Sequence, residues 1–349
     1  MNMSKKYFEK RFRAIEKNSS YEENPPFPTN ALIELTNGCN HACIFCKNSH
    51  QIRHTTYLEI KKYYSFIKQA VGLGLKEVGL YATGEPFMTK NLHEYIRVAK
   101  DLGIKRVYIT TNGALASINK IKKCVENGLD SIKFSINASN REDYNEIHGY
   151  DDFNKVLNNV KDIYEWKIKN KINLQLLGSC VLVPSKPYTK EQHTKLFGKY
   201  FDDILYNKSQ SQGGQKFDIP LQEKNLRGVF TAQKIVHDKD LQPCSMVFNR
   251  YHLTAEGYLT ACCVDYNLNL VYSDLDEEKL ESAWQNEFIR NLRLKHINKN
   301  LDGTICKQCL KNKKYPYTPL RNLSSKNYDD KKFKILEIKL IKRIKSASS

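Results

Sequence analysis

A chain of 349 residues, 40% hydrophobic and 11% aromatic, is long enough to bury a sizeable core in one large domain or two ordinary ones. No apolar run approaches the roughly 20 residues that span a bilayer, and the charged N-terminus has no secretory h-region, so a cytoplasmic protein is expected, in which ten cysteines read as metal ligands rather than disulfides. The net charge of +18 is uneven, with 12 Lys/Arg against 3 Asp/Glu from Lys311 onward; this fits a solvated surface or an acidic partner.

Strand and helix patterns alternate along the chain. "ALIELT" (31–36) reads as a strand. A helix follows through "TTYLEIKKYYSFIKQAVGLG", with Thr56 and Glu59 as a capping box and Ile60, Tyr64, Ile67 and Val71 on one face. Further strands are expected at 77–82, 106–111, 131–137, 172–183 and 202–206. Helices are expected between them, including 141–147 and 152–167. Six strands alternating with helices predict a parallel α/β sheet, curled as a partial barrel or open and doubly wound. "NKSQSQGGQ" (207–215) reads as a linker.

The residues capable of chemistry sit at strand ends. Cys39, Cys43 and Cys46, spaced C-x3-C-x2-C, follow the first strand. "TGEP" (83–86) follows the second, "TNG" (111–113) closes the third, and Ser135 and Asn137 end the fourth. In α/β barrels the loops at these ends converge on one mouth, so the four elements predict one site. Three thiolates can hold a four-iron cluster and leave one iron open. The alternatives are a zinc knuckle or buried thiols, but no fourth ligand has finger-like spacing and the later motifs fit.

C-x3-C-x2-C with Phe45 before the last cysteine resembles the signature of the radical S-adenosylmethionine (SAM) superfamily, and the resemblance covers roughly residues 31 to 206. It implies a partial (βα)6 TIM-like barrel, a 4Fe–4S cluster on Cys39, Cys43 and Cys46, and SAM chelated to the open iron. The SAM is cleaved by one electron to a 5′-deoxyadenosyl radical, supplied through a flavodoxin or ferredoxin-type reductant. Thr83 replaces the first glycine of the family's GGEP-type loop. By the same resemblance Phe45, Gly84, Glu85, Asn112, Ser135 and Asn137 would contact the cofactor. His41 and His50 read as loop residues, and Cys124 and Cys180 as packing residues.

A second cysteine set is C-x12-G-x4-C from Cys244 through Gly257 to Cys262, followed by Cys263 and then Cys306 and Cys309. It resembles a SPASM domain, the family's C-terminal α+β auxiliary-cluster module. No cysteine follows Cys309, so the resemblance implies the shortened twitch variant, with one auxiliary 4Fe–4S cluster on Cys244, Cys262, Cys306 and Cys309; a structural zinc is the alternative. A hairpin is expected around "AEGY" and helices through "DEEKLESAWQNEFIRNLRLKHI". If "LTACC" ends a strand, Cys263 points away from Cys262, either into the core or toward the substrate as a hydrogen donor.

The expected organisation is an N-terminal extension (1–30), radical SAM core (31–206), linker (207–240), twitch-like domain (241–312) and basic tail (313–349). About 30 residues before the first strand are too few for a peptide-leader-binding domain. The expected substrate is therefore a small polyol, carbohydrate or sugar nucleotide, oxidised at a secondary alcohol, with epimerisation or peptide maturation as alternatives. A zinc-holding nucleic-acid-binding module is the reading from a different class; no interleaved aromatic–basic pattern supports it, so nucleic acid is not the expected partner. In the tail, Phe333, Leu336, Leu340, Ile341 and Ile344 fall on one helical face, suited to an anionic membrane surface or to the protein's own core.

Overall fold

The structure is a computed structural model that describes residues 7–17, 20–187, 189–215, 240–321 and 323. The amphipathic face expected in the tail lies outside these residues.

The chain opens with α1 (Tyr7–Lys17), then β1 (Asn30–Ile33), α2 (Ile60–Gly72), β2 (Glu77–Gly79), α3 (Leu92–Asp101), β3 (Arg106–Thr111) and α4 (Ile118–Glu126). It continues with β4 (Ser131–Ser135), α5 (Arg141–His148), α6 (Phe153–Lys169), β5 (Gln175–Leu182), α7 (Thr189–Phe197) and β6 (Asp203–Lys208). Strands β1 to β6 pair in parallel, in sequence order. This is the expected α/β sheet, and it is not closed.

One face of each strand packs under the helices. Val107, Ile109, Ile132 and Phe134 are buried there, while Arg106, Tyr108, Thr110 and Lys133 alternate with them and are only half-buried. The sheet is therefore apolar outside and polar within, and the polar side is the lumen.

The second half is not a detached module. It contains α8 (Met246–Asn249), β7 (Tyr251–Leu253), β8 (Tyr258–Thr260), β9 (Val271–Asp274), α9 (Leu280–Ala283), α10 (Glu287–Ile297) and α11 (Ile305–Lys311). β7 pairs in parallel with β1, Leu32 opposite His252, and β7–β8–β9 continue antiparallel. One nine-stranded sheet, β6-β5-β4-β3-β2-β1-β7-β8-β9, thus runs through both halves.

Three local expectations need correction. Glu59 is the N-cap of α2 with no side-chain cap bond, and the Thr56 hydroxyl bonds to the His54 carbonyl, so the capping box does not form. The buried face of α2 is Tyr63, Phe66, Ile67 and Ala70, whereas Tyr64 is exposed. The stripe is rotated because the bulky Tyr63 and Phe66 take the core side. Residues 207–215 are not a free linker. Asn207 and Lys208 finish β6, and Ser209, Ser211 and Gln215 are buried, with Gln215 Nε2 donating to the Val264 carbonyl at 2.8 Å.

The N-terminal extension supplies an element that the sequence reading did not anticipate. Helix α1 lies across the bottom of the lumen. There Arg11 pairs with Glu77 at 2.6 Å, and Tyr7 accepts from Arg106 at 2.8 Å. Among the described residues no helix is long and apolar enough to cross a membrane.

Candidate active site

The cysteine loop between β1 and α2 is held from three directions. Gly84 presses against it so closely that a Cβ at this position would lie 2.2 Å from the Thr36 carbonyl oxygen and 2.5 Å from that of Gly38. Only glycine permits that approach. Gly84→Ala is expected to push the "TGEP" loop off the cysteine loop and cost at least half of the bound iron, read by iron analysis beside wild type; full iron retention would show that the contact is not needed.

Next to it, Glu85 is buried. Its carboxylate accepts from Thr111 Oγ1 at 2.7 Å, Asn112 N at 2.8 Å and Phe87 N at 3.1 Å, and its own N–H donates to the Gly38 carbonyl at 2.8 Å. Burial pushes its pKa up to about 7, against the pull of those donors. Glu85 therefore ties the ends of β2 and β3 to the cysteine loop.

Each of the three thiols meets a polar group from a different part of the chain. Asn112 Nδ2 lies 3.9 Å from Cys39 Sγ, His148 Nδ1 3.5 Å from Cys43 Sγ, and Tyr266 Oη 3.3 Å from Cys46 Sγ. The tautomer of His148 follows from geometry. Its Nε2 faces the Asn137 backbone N–H at 3.1 Å and must accept, so the proton of the neutral ring sits on Nδ1 and points at Cys43. Burial, with His41 alongside, holds the His148 pKa well below its ordinary value and keeps the ring neutral. Burial also raises the pKa of all three thiols. Thiolates here need a bound cation and these donors.

Cys39, Cys43 and Cys46 offer three thiolates to one site, a donor set that fits an iron–sulfur cluster with one iron left open. Among the described residues the one trio of His, Cys, Asp or Glu ligand atoms within 4.8 Å of one another is His41, Cys43 and His148.

The other residues expected at the site are distributed as follows. Phe45 is buried in the main hydrophobic cluster. Asn137 is spent within the chain: its Oδ1 accepts from Val181 N at 2.8 Å, and its Nδ2 faces His148 at 3.3 Å. That makes it a positioning group. Ser135, half-buried at the end of β4, pairs with Ser179 in the ladder, and its side-chain hydroxyl makes no hydrogen bond among the described residues.

The second cysteine set comes together in the second half of the chain, where Cys244 and Cys309 act electrostatically on Cys306. Cys306 and Cys309 lie on α11, and Cys309 Sγ is 3.1 Å from Ser211 Oγ. Cys262 and Cys263 follow β8 in a turn, so strand alternation does not govern them. Cys263 stands beside His252 and within electrostatic reach of Arg250, while Tyr81 and Lys133 feel its charge in turn. It therefore borders the lumen.

The comparisons with known proteins agree with this layout. Residues 33–184 match the radical SAM superfamily model, and residues 244–310 match the SPASM model, described as an iron–sulfur cluster-binding domain. A probable GTP 3′,8-cyclase of Methanocaldococcus jannaschii is 31% identical over 271 residues, covering 71% of this chain and 90% of its own. The chain belongs to the radical SAM superfamily. A probable GTP 3′,8-cyclase of Sulfurisphaera tokodaii is 26% identical over 259 residues, covering 66% and 79%.

Two solved structures share the fold of this radical SAM protein. BtrN in complex with AdoMet and 2-DOIA aligns with a TM-score of 0.53 at 16% identity, covering 86% of this chain and 97% of that one. Streptococcus suis SuiB bound to precursor peptide SuiA aligns with 0.61 at 14% identity, covering 90% and 80%. The cofactors of this radical SAM protein are SAM and 4Fe–4S clusters, one in each matched region.

Sequence reasoning missed His148 and Tyr266. Neither has a fixed spacing from the cysteines. Tyr266 lies 220 residues beyond Cys46 in the chain, and only the folded sheet brings the two together.

Proposed function

We propose that this chain removes a hydrogen atom from a small, oxygen-rich substrate (a polyol, carbohydrate or sugar nucleotide) and oxidises a secondary alcohol. The observation that supports the reading is the lumen, lined by polar groups such as Asn30, Tyr81, Tyr108, Thr110 and Lys133. It suits hydroxyl-rich ligands better than apolar ones.

When bound, the cofactors supply the 5′-deoxyadenosyl radical and an electron sink. In this reading Cys39, Cys43 and Cys46 ligate the first cluster, and Cys244, Cys262, Cys306 and Cys309 the auxiliary one. Asn112, His148 and Tyr266 stabilise the thiolates of the first set. Glu85 fixes the loop that would face the methionyl group, and Ser135 offers its hydroxyl at the mouth. The walls of the sheet keep bulk water from the reacting carbon.

Two observations favour other outcomes on the same substrate class. The relatives named probable GTP 3′,8-cyclase favour a nucleotide substrate and a cyclisation. The place of Cys263 at the lumen favours return of hydrogen by its thiol, which would give epimerisation.

One experiment separates the three. The anaerobically reconstituted protein is incubated with SAM, reductant and a panel of polyols, sugars and nucleotides in heavy water. Oxidation gives 5′-deoxyadenosine and a product lighter by two hydrogens, and Cys263→Ala retains it. A product of unchanged mass overturns oxidation. Deuterium at the reacting carbon, lost with turnover in Cys263→Ala, would establish hydrogen return instead.

A further inference from the structure

The polar lumen also carries cations that pair with no carboxylate among the described residues. Lys133 on β4 projects inward, its Nζ 5.8 Å from the centre of the Tyr81 ring. Arg250, just before β7, reaches the same space. Its charge acts on Tyr81, Tyr108 and Lys133, and its Nε is buried with no hydrogen-bond partner. His252, two residues on and facing the same side, is 1% exposed and stands beside the Cys263 thiol. The Tyr81 and Tyr108 rings, 6.0 Å apart, complete the wall.

The nearby carboxylates are already committed. Glu77 pairs with Arg11 at 2.6 Å, Glu34 pairs with Arg53 at 2.5 Å, and Asp265 accepts from Thr260 and from the backbone of Asn269 and Leu270. Among the described residues none pairs with Lys133 or Arg250. Deeper in the lumen Arg106 meets only neutral partners, Tyr7, Ser131 and Gln175. Burial lowers the Lys133 pKa, with Arg11 and Arg250 pushing the same way against the opposite pull of Tyr108 and Cys263, so the two cations meet no carboxylate in a half-buried space. Proteins rarely retain such an arrangement unless a ligand supplies the missing charge.

We propose that Lys133, Arg250 and His252, with the Tyr81 hydroxyl, form a subsite for a phosphoryl group of the substrate. This deepens the reading above and rests on it. Two cations, with phenol and imidazole donors around them, match a dianion with three acceptor oxygens better than they match a carboxylate. The position also fits. Lys133 lies two residues below Ser135 on the same face of β4, about 7 Å deeper than the mouth. A phosphoryl group anchored there would leave the rest of a phosphorylated sugar or nucleotide directed up toward the strand ends.

The test uses the anaerobically reconstituted enzyme with SAM. Inorganic phosphate is titrated by calorimetry and by thermal melting, beside acetate at matched ionic strength. Wild type is compared with Lys133→Gln, Arg250→Gln and, as a surface control, Lys68→Gln. Phosphate is expected to bind saturably, and each lumen variant to weaken it about tenfold while Lys68→Gln does not. Without phosphate the lumen variants should melt no lower than wild type, because each removes one of two repelling charges.

Equal binding by wild type and both lumen variants overturns the proposal. So does a lower melting temperature with unchanged phosphate affinity, which marks a structural role. Acetate binding as tightly as phosphate overturns the phosphoryl assignment. Iron content and 5′-deoxyadenosine formation are measured on the same samples, so failure of the radical-enzyme reading is seen separately from failure of the subsite.

Discussion

Replacing Cys39, Cys43 and Cys46 together with Ala is expected to remove about half of the iron and to reduce SAM cleavage to background. The two cysteine sets sit in separate halves of the chain, so losing one should leave the other loaded. Replacing Cys244 and Cys306 with Ala should remove the complementary half. It should leave uncoupled SAM cleavage in place, because Asn112, His148 and Tyr266 still stand beside the first set. Iron and sulfide analysis of the two variants, with 5′-deoxyadenosine formation, checks both halves of the expectation. A single zinc and no iron in the anaerobic wild type would overturn the assignment of clusters to these residues.

Arg53→Met is expected to be the most destabilising single substitution away from the cysteines. Arg53 is 2% exposed. It donates to Glu34 on the β1 side at 2.5 Å and to Glu256 in the β7–β8 turn at 2.6 Å, while Thr83 also bonds to Glu34. Removing the guanidinium leaves two buried carboxylates without a cation. Such a loss costs about 3–5 kcal/mol. For a chain of this size that corresponds to a fall in melting temperature of ~5 °C.

The pH dependence gives a second readout. Burial alone would push the Glu34 carboxyl up, but the Arg53 guanidinium, with Thr83 and the Ala255 N–H, outweighs it and holds the pKa below the ordinary value. In wild type that stabilisation is present above the ordinary carboxylate range and is lost as the pH falls through the depressed pKa. In Arg53→Met burial dominates, the folded pKa rises above the unfolded one, and stability is lost as the pH rises instead. The gap between the two proteins should therefore narrow as the pH is lowered toward the carboxylate range, as read by melting across pH. A gap that is constant with pH would mean that the loss comes from packing rather than charge.

Local pattern carried much of this in the sequence. The strand–helix alternation and the cysteine spacings are short-range signals, and β1 to β6 lie where hydrophobic period and turn residues put them. The hairpin around "AEGY" is legible for the same reason. What stays hidden depends on distant partners. Nothing near His148 marks it as the neighbour of Cys43, and nothing near Glu256 announces Arg53. The stripe on α2 was misplaced because a helical wheel fixes the period and not the rotation, which the bulk of Tyr63 and Phe66 decides. For Cys263 the alternation argument has no purchase, because Cys262 and Cys263 lie beyond the end of β8.

The parallel pairing of β1 with β7 also imposes an order on biosynthesis. As the chain leaves the ribosome, β1 appears early, yet the strand that covers its outer edge arrives much later; the bond from Ala255 to Glu34 spans 221 positions. Until then a hydrophobic strand edge stands open, the situation that slows folding and invites pairing between nascent chains. Tyr266 arrives later still, so the thiol of Cys46 waits without its phenol partner while much of the chain is being made.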